Sequence, residues 1–283
     1  MLKVMANNIL KYIPDIYLHQ IKHMIVLKKI PNFKNPIGFN EKIMKRKIYP
    51  RSIYTTLSDK YKVRNFISSL WGKEYLIDLY AHDTELSYEL FQSLPDKFVM
   101  KANHGSGYNK LVFDKNKENF TDLYDLSRSW MDKSFYVQSR EKHYKDIEPR
   151  ILIERLLEVE GSAPNDIKCH CFNKEGETVI FIQVDYNRFT HHQRDIFDED
   201  WNRTEIRICY PNSPLPASKP SQLDDILRLA RMTSRFFSYV RVDFYQVGEK
   251  VYFGELTFTP GAGLEPLMPK IVELEWGGYF TDM

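Results

Sequence analysis

VRVDFYQVGEKVYFGELTFTPGAG, running from Val240 to Gly263, sets charged residues inside two runs that otherwise read as buried strands. Val240, Val242 and Phe244 alternate with Arg241, Asp243 and Tyr245, and in the second run, Val251 to Phe258, Glu255 and Thr257 share a face. The Gly-containing turn from Gln246 to Lys250 joins the runs into a hairpin. Pairing centred near Glu249 puts Asp243 opposite Glu255 and Arg241 opposite Thr257, with facing Cβ atoms roughly 4.5–5.5 Å apart. Facing carboxylates repel, so the pattern calls for compensation, which a hard divalent cation on oxygen donors supplies. Arg241 then sits beside the metal, aimed at the same anion. The turn Thr259-Pro260-Gly261-Ala262-Gly263 follows directly, where backbone can close over a phosphate. The same alternation also fits an exposed hairpin with a wet polar face, and a one-residue bulge would separate the two acids.

Working outward, 283 residues suffice for a large core near the size at which cores split, so two or three lobes with a cleft are expected. The net charge of +2 is spread over interspersed acids and bases, and no basic tail tracks a nucleic-acid backbone. Nucleic acid is therefore not an expected partner. Of three cysteines, Cys169 and Cys171 alternate on one strand face without a second pair at zinc spacing, which predicts buried free thiols and a reducing cytoplasm. The N-terminal arm has apolar runs broken by Lys11, Asp15, Lys22 and Lys28, too short for a membrane span and without a signal-peptide cleavage pattern. Lys22, His23, Lys28 and Lys29 around Met24–Leu27 suit either a helix packed on its own protein or an arm resting on a membrane surface or partner.

Further along, Asn40 is the expected cap of a helix that ends before Pro50, and Ser58 or Asp59 the cap of a second helix over Leu57–Ser69. Within that helix Lys60 and Arg64 stand at i and i+4, unfavourable unless an anion lies between them or water screens them. Phe98 to Lys101 reads as a strand that delivers Lys101 into His104-Gly105-Ser106-Gly107. Glycines at 105 and 107 let successive amides turn toward one phosphate, and Lys101 supplies a point charge. The Gly-Lys-Ser/Thr of a P-loop is missing, so a mobile loop between strands is expected instead. Ile151–Leu157 is an apolar strand with one embedded acid, Glu154, which either accepts the exocyclic amine of adenine or pairs with Arg150 or Arg155. Asp166, Lys168 and His170 share a strand face; His170 reads as structural. Arg188, His191, His192 and Arg194 make a basic loop, solvated or turned to an acidic substrate. Pro211–Pro220 is a linker, and Leu223–Phe237 an amphipathic helix.

In this order the motifs resemble the ATP-grasp superfamily, specifically its TupA-like branch associated with teichuronopeptide and other surface-polysaccharide biosynthesis. The likeness is carried by Asn40-Glu41-Lys42, Asp59-Lys60-Tyr61 with Val63-Arg64, Phe98 to Gly107, Pro149-Arg150-Ile151 to Glu154, Asp166-Ile167-Lys168, and Arg241-Val242-Asp243 to Pro260-Gly261, over roughly residues 35–280. It implies an α+β fold in which two lobes clamp Mg-ATP. A helical, substrate-side region would span 1–93, a small lobe with phosphate loop and adenine hinge 94–155, and a large lobe with metal and catalytic site 156–283. Lys60 and Lys101 would hold ATP phosphates, and His104, Gly105, Ser106 and Gly107 would form the phosphate loop. Glu154 would meet adenine and Asp166 the ribose. Asp243, Glu255 and Thr257 would carry magnesium, Arg241 would stabilise the transferring phosphoryl, and Lys168 would assist near the γ-phosphate or acyl group. Thr257 departs from the Asn that many ATP-grasp ligases have there, and the region before Leu94 is shorter than the substrate domain of the larger ligases.

The chemistry implied is ATP-dependent, ADP-producing carbon–nitrogen ligation, in which a carboxylate of a small molecule or oligosaccharide, a uronic acid above all, is phosphorylated and attacked by the amine of an amino acid. Such chemistry rests on positioning and charge rather than a nucleophile triad, in keeping with Lys, Arg and carboxylate candidates. A glycosyltransferase, a phosphotransferase and a non-catalytic ATP-binding protein are the alternatives.

Overall fold

The computed structural model describes residues 13–186 and 191–281; Arg188 of the basic loop and the first twelve residues of the N-terminal arm lie outside them. Two antiparallel sheets organise the chain. The smaller contains β1 (Leu79–Asp83), β2 (Phe98–Ala102), β3 (Asn109–Val112) and β4 (Ile151–Glu154) in the order β1-β4-β2-β3. Phe98, Met100, Val112, Ile151 and Ile153 form its core with Phe91, Leu123 and Trp130 of neighbouring helices. β1 forms an edge of this sheet from residues N-terminal to 94, so strands from both sides of the 93/94 boundary build it.

The larger sheet contains β5 (Ile167–Lys174), β6 (Glu177–Tyr186), β7 (Gln193–Phe197), β9 (Tyr239–Val247) and β10 (Lys250–Thr257) in the order β10-β9-β5-β6-β7; β8 (Arg207–Ile208) pairs separately with β11 (Leu267–Met268). Period-two alternation sorts its two faces. Val240, Val242 and Phe244 lie on the same side as Cys169, Cys171, Ile182 and Val184, against Leu223, Ile226, Leu229 and Ala230 of the helix Leu223–Ser234. Cys169 and Cys171 are buried free thiols as expected, whereas Cys209 is exposed. The opposite face changes character along its length. Phe172 and Tyr239 face each other at one end, covered by Phe39, Trp276 and Phe280, and the same rows continue into His170, Arg241, Lys168 and Asp243.

The N-terminal helices are α1 (Asp15–Leu27), α2 (Phe39–Ile48), α3 (Ile53–Ser58) and α4 (Val63–Leu70). Tyr54, Leu57, Val63 and Ile67 belong to the core beneath the large sheet, and Trp71 stacks on Phe244 with centroids 5.4 Å apart. The single helix expected over Leu57–Ser69 is interrupted. The Asp59 carboxylate draws in the Tyr61 and Lys62 amides at 2.9 and 3.3 Å, while the Lys60 amide donates to the Asn103 carbonyl at 3.2 Å. Lys60 therefore stands outside α4, and the i, i+4 geometry with Arg64 does not form.

Asn40 is not the cap of α2. It lies inside the first turn, where its amide donates to Glu273 Oε1 at 2.7 Å and its side chain to Glu273 Oε2 and the Glu265 carbonyl. The cap thus arrives from the helix Ile271–Tyr279 at the far end of the sequence. Burial pushes the Glu273 carboxyl up to about 7 from its ordinary 4.5. Between those values an unfolded chain has lost this proton while the folded one keeps it, so the contribution to stability falls as pH rises and levels off above 7. At about 1.4 kcal/mol per pH unit the loss is at most roughly 3 kcal/mol. Glu273→Gln should flatten the pH dependence by that amount in urea titrations at pH 5 and 8; parallel curves for both proteins would refute it.

Candidate active site

The facing pair forms through a bulge rather than despite one. Near the turn, Lys250 pairs with Val247 and Phe253 with Phe244, a register that would set Asp243 against Gly254. The register then shifts between Phe253 and Glu255, so Glu255 faces Asp243, Leu256 faces Val242 and Thr257 faces Arg241. Only glycine fits at 254, because a Cβ there would lie 2.9 Å from the Asp243 carbonyl oxygen. The extra residue turns both acids to one side of the sheet.

The repulsion expected of this pair is answered inside the chain. Arg241 clasps Asp243 with Nε and Nη2, each at 2.7 Å, and its Nη2 also reaches Glu255 Oε1 at 3.3 Å and Thr257 Oγ1 at 3.0 Å. Lys60 Nζ lies 3.5 Å from Glu255 Oε2 and donates to the Gly105 carbonyl at 2.8 Å, which ties the carboxylate pair to the glycine loop. Burial pushes the Asp243 carboxyl up to about 6. Burial acts on Glu255 in the same sense, but Lys60, Arg241 and Lys168 outweigh it and hold that carboxyl well below its usual range. Like charges in one place have been driven apart in acidity. Two carboxylates and a hydroxyl make a partial set of hard donors, and among the described residues no three His, Cys, Asp or Glu side chains gather to hold an ion. Such a set suits magnesium, which takes one or two carboxylates and completes its shell with water and substrate phosphates.

Across from β9, Lys168 pairs in register with Asp243. Its Nζ lies 2.8 Å from Asp166 Oδ2 and 3.5 Å from Asp185 Oδ2, in ion pairs that are not aligned as hydrogen bonds. Asp185, which the sequence did not single out, organises this side of the site. Its Oδ1 takes Arg194 Nε at 2.6 Å and His192 Nε2 at 3.0 Å, and its Oδ2 takes the Gln183 amide at 2.9 Å. Because the carboxylate fixes which end of Gln183 donates, Gln183 Oε1 must accept from His170 Nε2–H, leaving Nδ1 to accept from the Tyr239 hydroxyl, both at 2.9 Å. His170 is buried and lowered to about 3 by burial, a structural residue as its position suggested. Of the basic loop, Arg194 is paired with Asp185 and with Glu265, the latter at 3.1 Å.

The second half of the site lies where the sheets meet. Val99, Lys101, Asn109, Leu111, Glu154, Leu156, Leu157 and Tyr245 line one cleft, apolar walls with a few polar groups. Glu154 pairs with neither Arg150 nor Arg155: it is held by Lys101 Nζ and by Arg64 Nη1 at 3.2 Å. Arg64 comes from α4, which no local pattern links to Glu154. Tyr245 lines the cleft and its hydroxyl is pushed well up by burial and by the neighbouring Asp166 carboxylate, so the cleft borders the Lys168 cluster.

In the loop, Asn103 is the anchor that the sequence did not single out. Its side chain donates to Asp59 and to the Glu148 carbonyl, each at 2.9 Å, and accepts the Arg150 amide at 2.7 Å. His104 turns inward; it is 3% exposed and lies 3.1 Å from the Trp130 carbonyl. Gly107 has the positive φ of 79°, while Gly105 is required for space, since a Cβ would meet Tyr108 at 2.7 Å and Phe135 at 3.0 Å.

A model of the family described as TupA-like ATPgrasp matches residues 41–281. No curated protein matches the chain. Among solved structures it is similar to the D-alanine-D-alanine ligase from Helicobacter pylori, at 15% identity over 80% of this chain and 61% of that one, with a TM-score of 0.45. The D-alanyl-alanine synthetase A from Vibrio cholerae O1 is 11% identical over 82% of this chain and 63% of that one, with a TM-score of 0.47. The N5-carboxyaminoimidazole ribonucleotide synthetase from Thermus thermophilus is 11% identical over 74% and 48%, with a TM-score of 0.42. The chain thus spans less than two thirds of the length of each of these proteins.

Proposed function

The chain belongs to the TupA-like ATP-grasp family, and from that premise we propose that it is an ADP-forming carboxylate–amine ligase that joins an amino acid to a uronic-acid sugar or polymer. One observation carries this reading: the face holding Arg241, Asp243, Glu255 and Lys168 is tied through Lys60 to the glycine loop, next to a cleft containing Lys101 and Glu154. In this reading the apolar cleft takes the adenine, with Glu154 at its amine and Asp166 at the ribose. Lys60, Lys101 and the loop amides from Gly105 to Gly107 take the phosphates; His104 holds the loop down. Asp243, Glu255 and Thr257 would hold magnesium, which when bound neutralises charge on phosphate oxygens. Arg241, braced by three partners, presents a fixed charge to the transferring phosphoryl, and Lys168 stands across the strand pair at the acceptor. The uronate and amino acid come from the association of the family with teichuronopeptide synthesis.

Incubation with Mg-ATP, a uronate-containing acceptor and hydroxylamine in place of the amine should yield a hydroxamate with stoichiometric ADP. Release of AMP, or sugar transfer from a nucleotide-sugar without ATP consumption, would overturn the ligase assignment.

A further inference from the structure

Helix α1 is inside out. Asp15, His19 and His23, spaced four residues apart, face the protein and are buried together with Leu18, while Tyr17, Ile21, Met24 and Ile25 are 58%, 42%, 47% and 59% exposed. Ile30, beyond the helix end, is 73% exposed. A helix on the surface of a globular protein ordinarily presents the reverse arrangement.

Polar contacts lock this orientation. Asp15 accepts from Arg140 Nη1 at 3.1 Å and from the Tyr136 hydroxyl at 2.9 Å. His19 Nε2–H donates to the Arg140 carbonyl at 3.1 Å, and His23 Nδ1–H to the Lys29 carbonyl at 2.6 Å. Burial lowers His19 to about 4 and lowers His23 as well, so both pack as neutral rings at pH 7. Rolling the helix to bury its apolar stripe would break the Asp15–Arg140 pair and strand both histidines.

The surroundings of the stripe have one sign of charge. Across residues 13–38 the sole acid is Asp15, buried and paired, whereas Lys22, Lys28, Lys29 and Lys34 are basic and the last three are exposed. Lys29 also reaches the buried Glu41 at 3.0 Å. Among the described residues no helix is long and apolar enough to cross a membrane.

We propose that this face docks on an anionic phospholipid bilayer, with Tyr17, Ile21, Met24 and Ile25 entering the interface and Lys28, Lys29 and Lys34 meeting lipid phosphates. A second copy of the chain suits the face less well. Two-fold pairing would bring a second set of these lysines to the same interface, with no exposed acid in the stretch to answer them.

The test is flotation of the full-length protein with vesicles of phosphatidylcholine containing about one third phosphatidylglycerol, against phosphatidylcholine alone. Wild type should float with the anionic vesicles, several-fold less with neutral ones, and less again when salt shortens the screening length. The double substitution Ile21→Ser, Ile25→Ser should lower partition at least about tenfold while leaving the melting temperature unchanged, since both side chains are exposed. Wild-type protein that stays off anionic vesicles at low salt would overturn the proposal, as would undiminished flotation of the double variant. A dimer dispersed by the same substitutions, with no flotation of either protein, would give the face to a second copy. Flotation that appears only after residues 1–12 are removed would give it to the chain's own N-terminal segment.

Discussion

Arg241→Ala should cost about 3–5 kcal/mol of folding stability, the range for removing one partner from a buried ion pair. The alanine leaves Asp243, 3% exposed, facing Glu255 with no guanidinium between them. Lys60 and Lys168 remain, but Lys60 reaches only the outer oxygen of Glu255, at 3.5 Å, and Lys168 is committed to Asp166 and Asp185. Adding Asp243→Asn to the alanine variant removes the facing charge and should restore part of the loss; a coupling energy near zero in that double-mutant cycle would show that Arg241 does not act through Asp243. Given the proposed ligase, hydroxamate formation should fall as well, by about 2–4 kcal/mol of barrier for one preorganised charge-stabilising group. Urea titration and product assay read the two effects separately. A variant as stable as wild type would contradict the bridging role, and one equally active would remove Arg241 from the chemistry.

Gly254→Ala tests the bulge. Its new Cβ would stand 2.9 Å from a backbone oxygen that cannot swing aside as a side chain can. Strain of that kind costs typically about 1–3 kcal/mol, and Gly254→Val should cost more because a β-branched residue favours regular strand over bulge. If the strand escapes by absorbing the bulge, every side chain beyond it changes face. Glu255 would then oppose Val242, above a core of Val240, Phe244 and Cys169, and the pairs to Arg241 and Lys60 would be lost. Amide hydrogen exchange along β10 should therefore accelerate and, given the proposed ligase, ATP turnover should be lost with it. Wild-type exchange and wild-type turnover in the alanine variant would show that the bulge is incidental.

Much of this was legible before any coordinates. Period-two alternation is local, and a strand cannot place Val242 in a core without placing Arg241 and Asp243 on the other side, so the polar face of β9 followed from spacing, whereas Glu255 joins that face only through the register shift at Gly254, since strict alternation would leave it on the side of Val251 and Phe253. The hairpin, the strand into the glycine loop and the helix from Leu223 were legible for the same reason. Helix ends were harder. Asn40 has the chemistry of a cap, yet Gly38 holds the cap position, and Asn40's own amide and side chain are taken by Glu273 from 233 residues away. Ser58 and Asp59 close α3 instead of opening the next helix, whose cap position is Lys62, and the continuous helix drawn through them fails because the Lys60 amide is taken by Asn103.

What the chain order by itself determined is the inventory: which residues alternate onto a polar sheet face, which glycines open a loop, and the succession of motifs that marks the family. Tertiary structure decided who meets whom. Arg64 and Lys101 converge on Glu154, Asp185 steadies Lys168, His104 turns inward, and α1 buries Asp15, His19 and His23 while leaving an apolar stripe exposed. A side chain's periodicity is set by its neighbours along the backbone, over a few ångströms. Its partner is set by which distant donor or acceptor would otherwise be buried unsatisfied, and that condition exists only once the sheets have closed on each other.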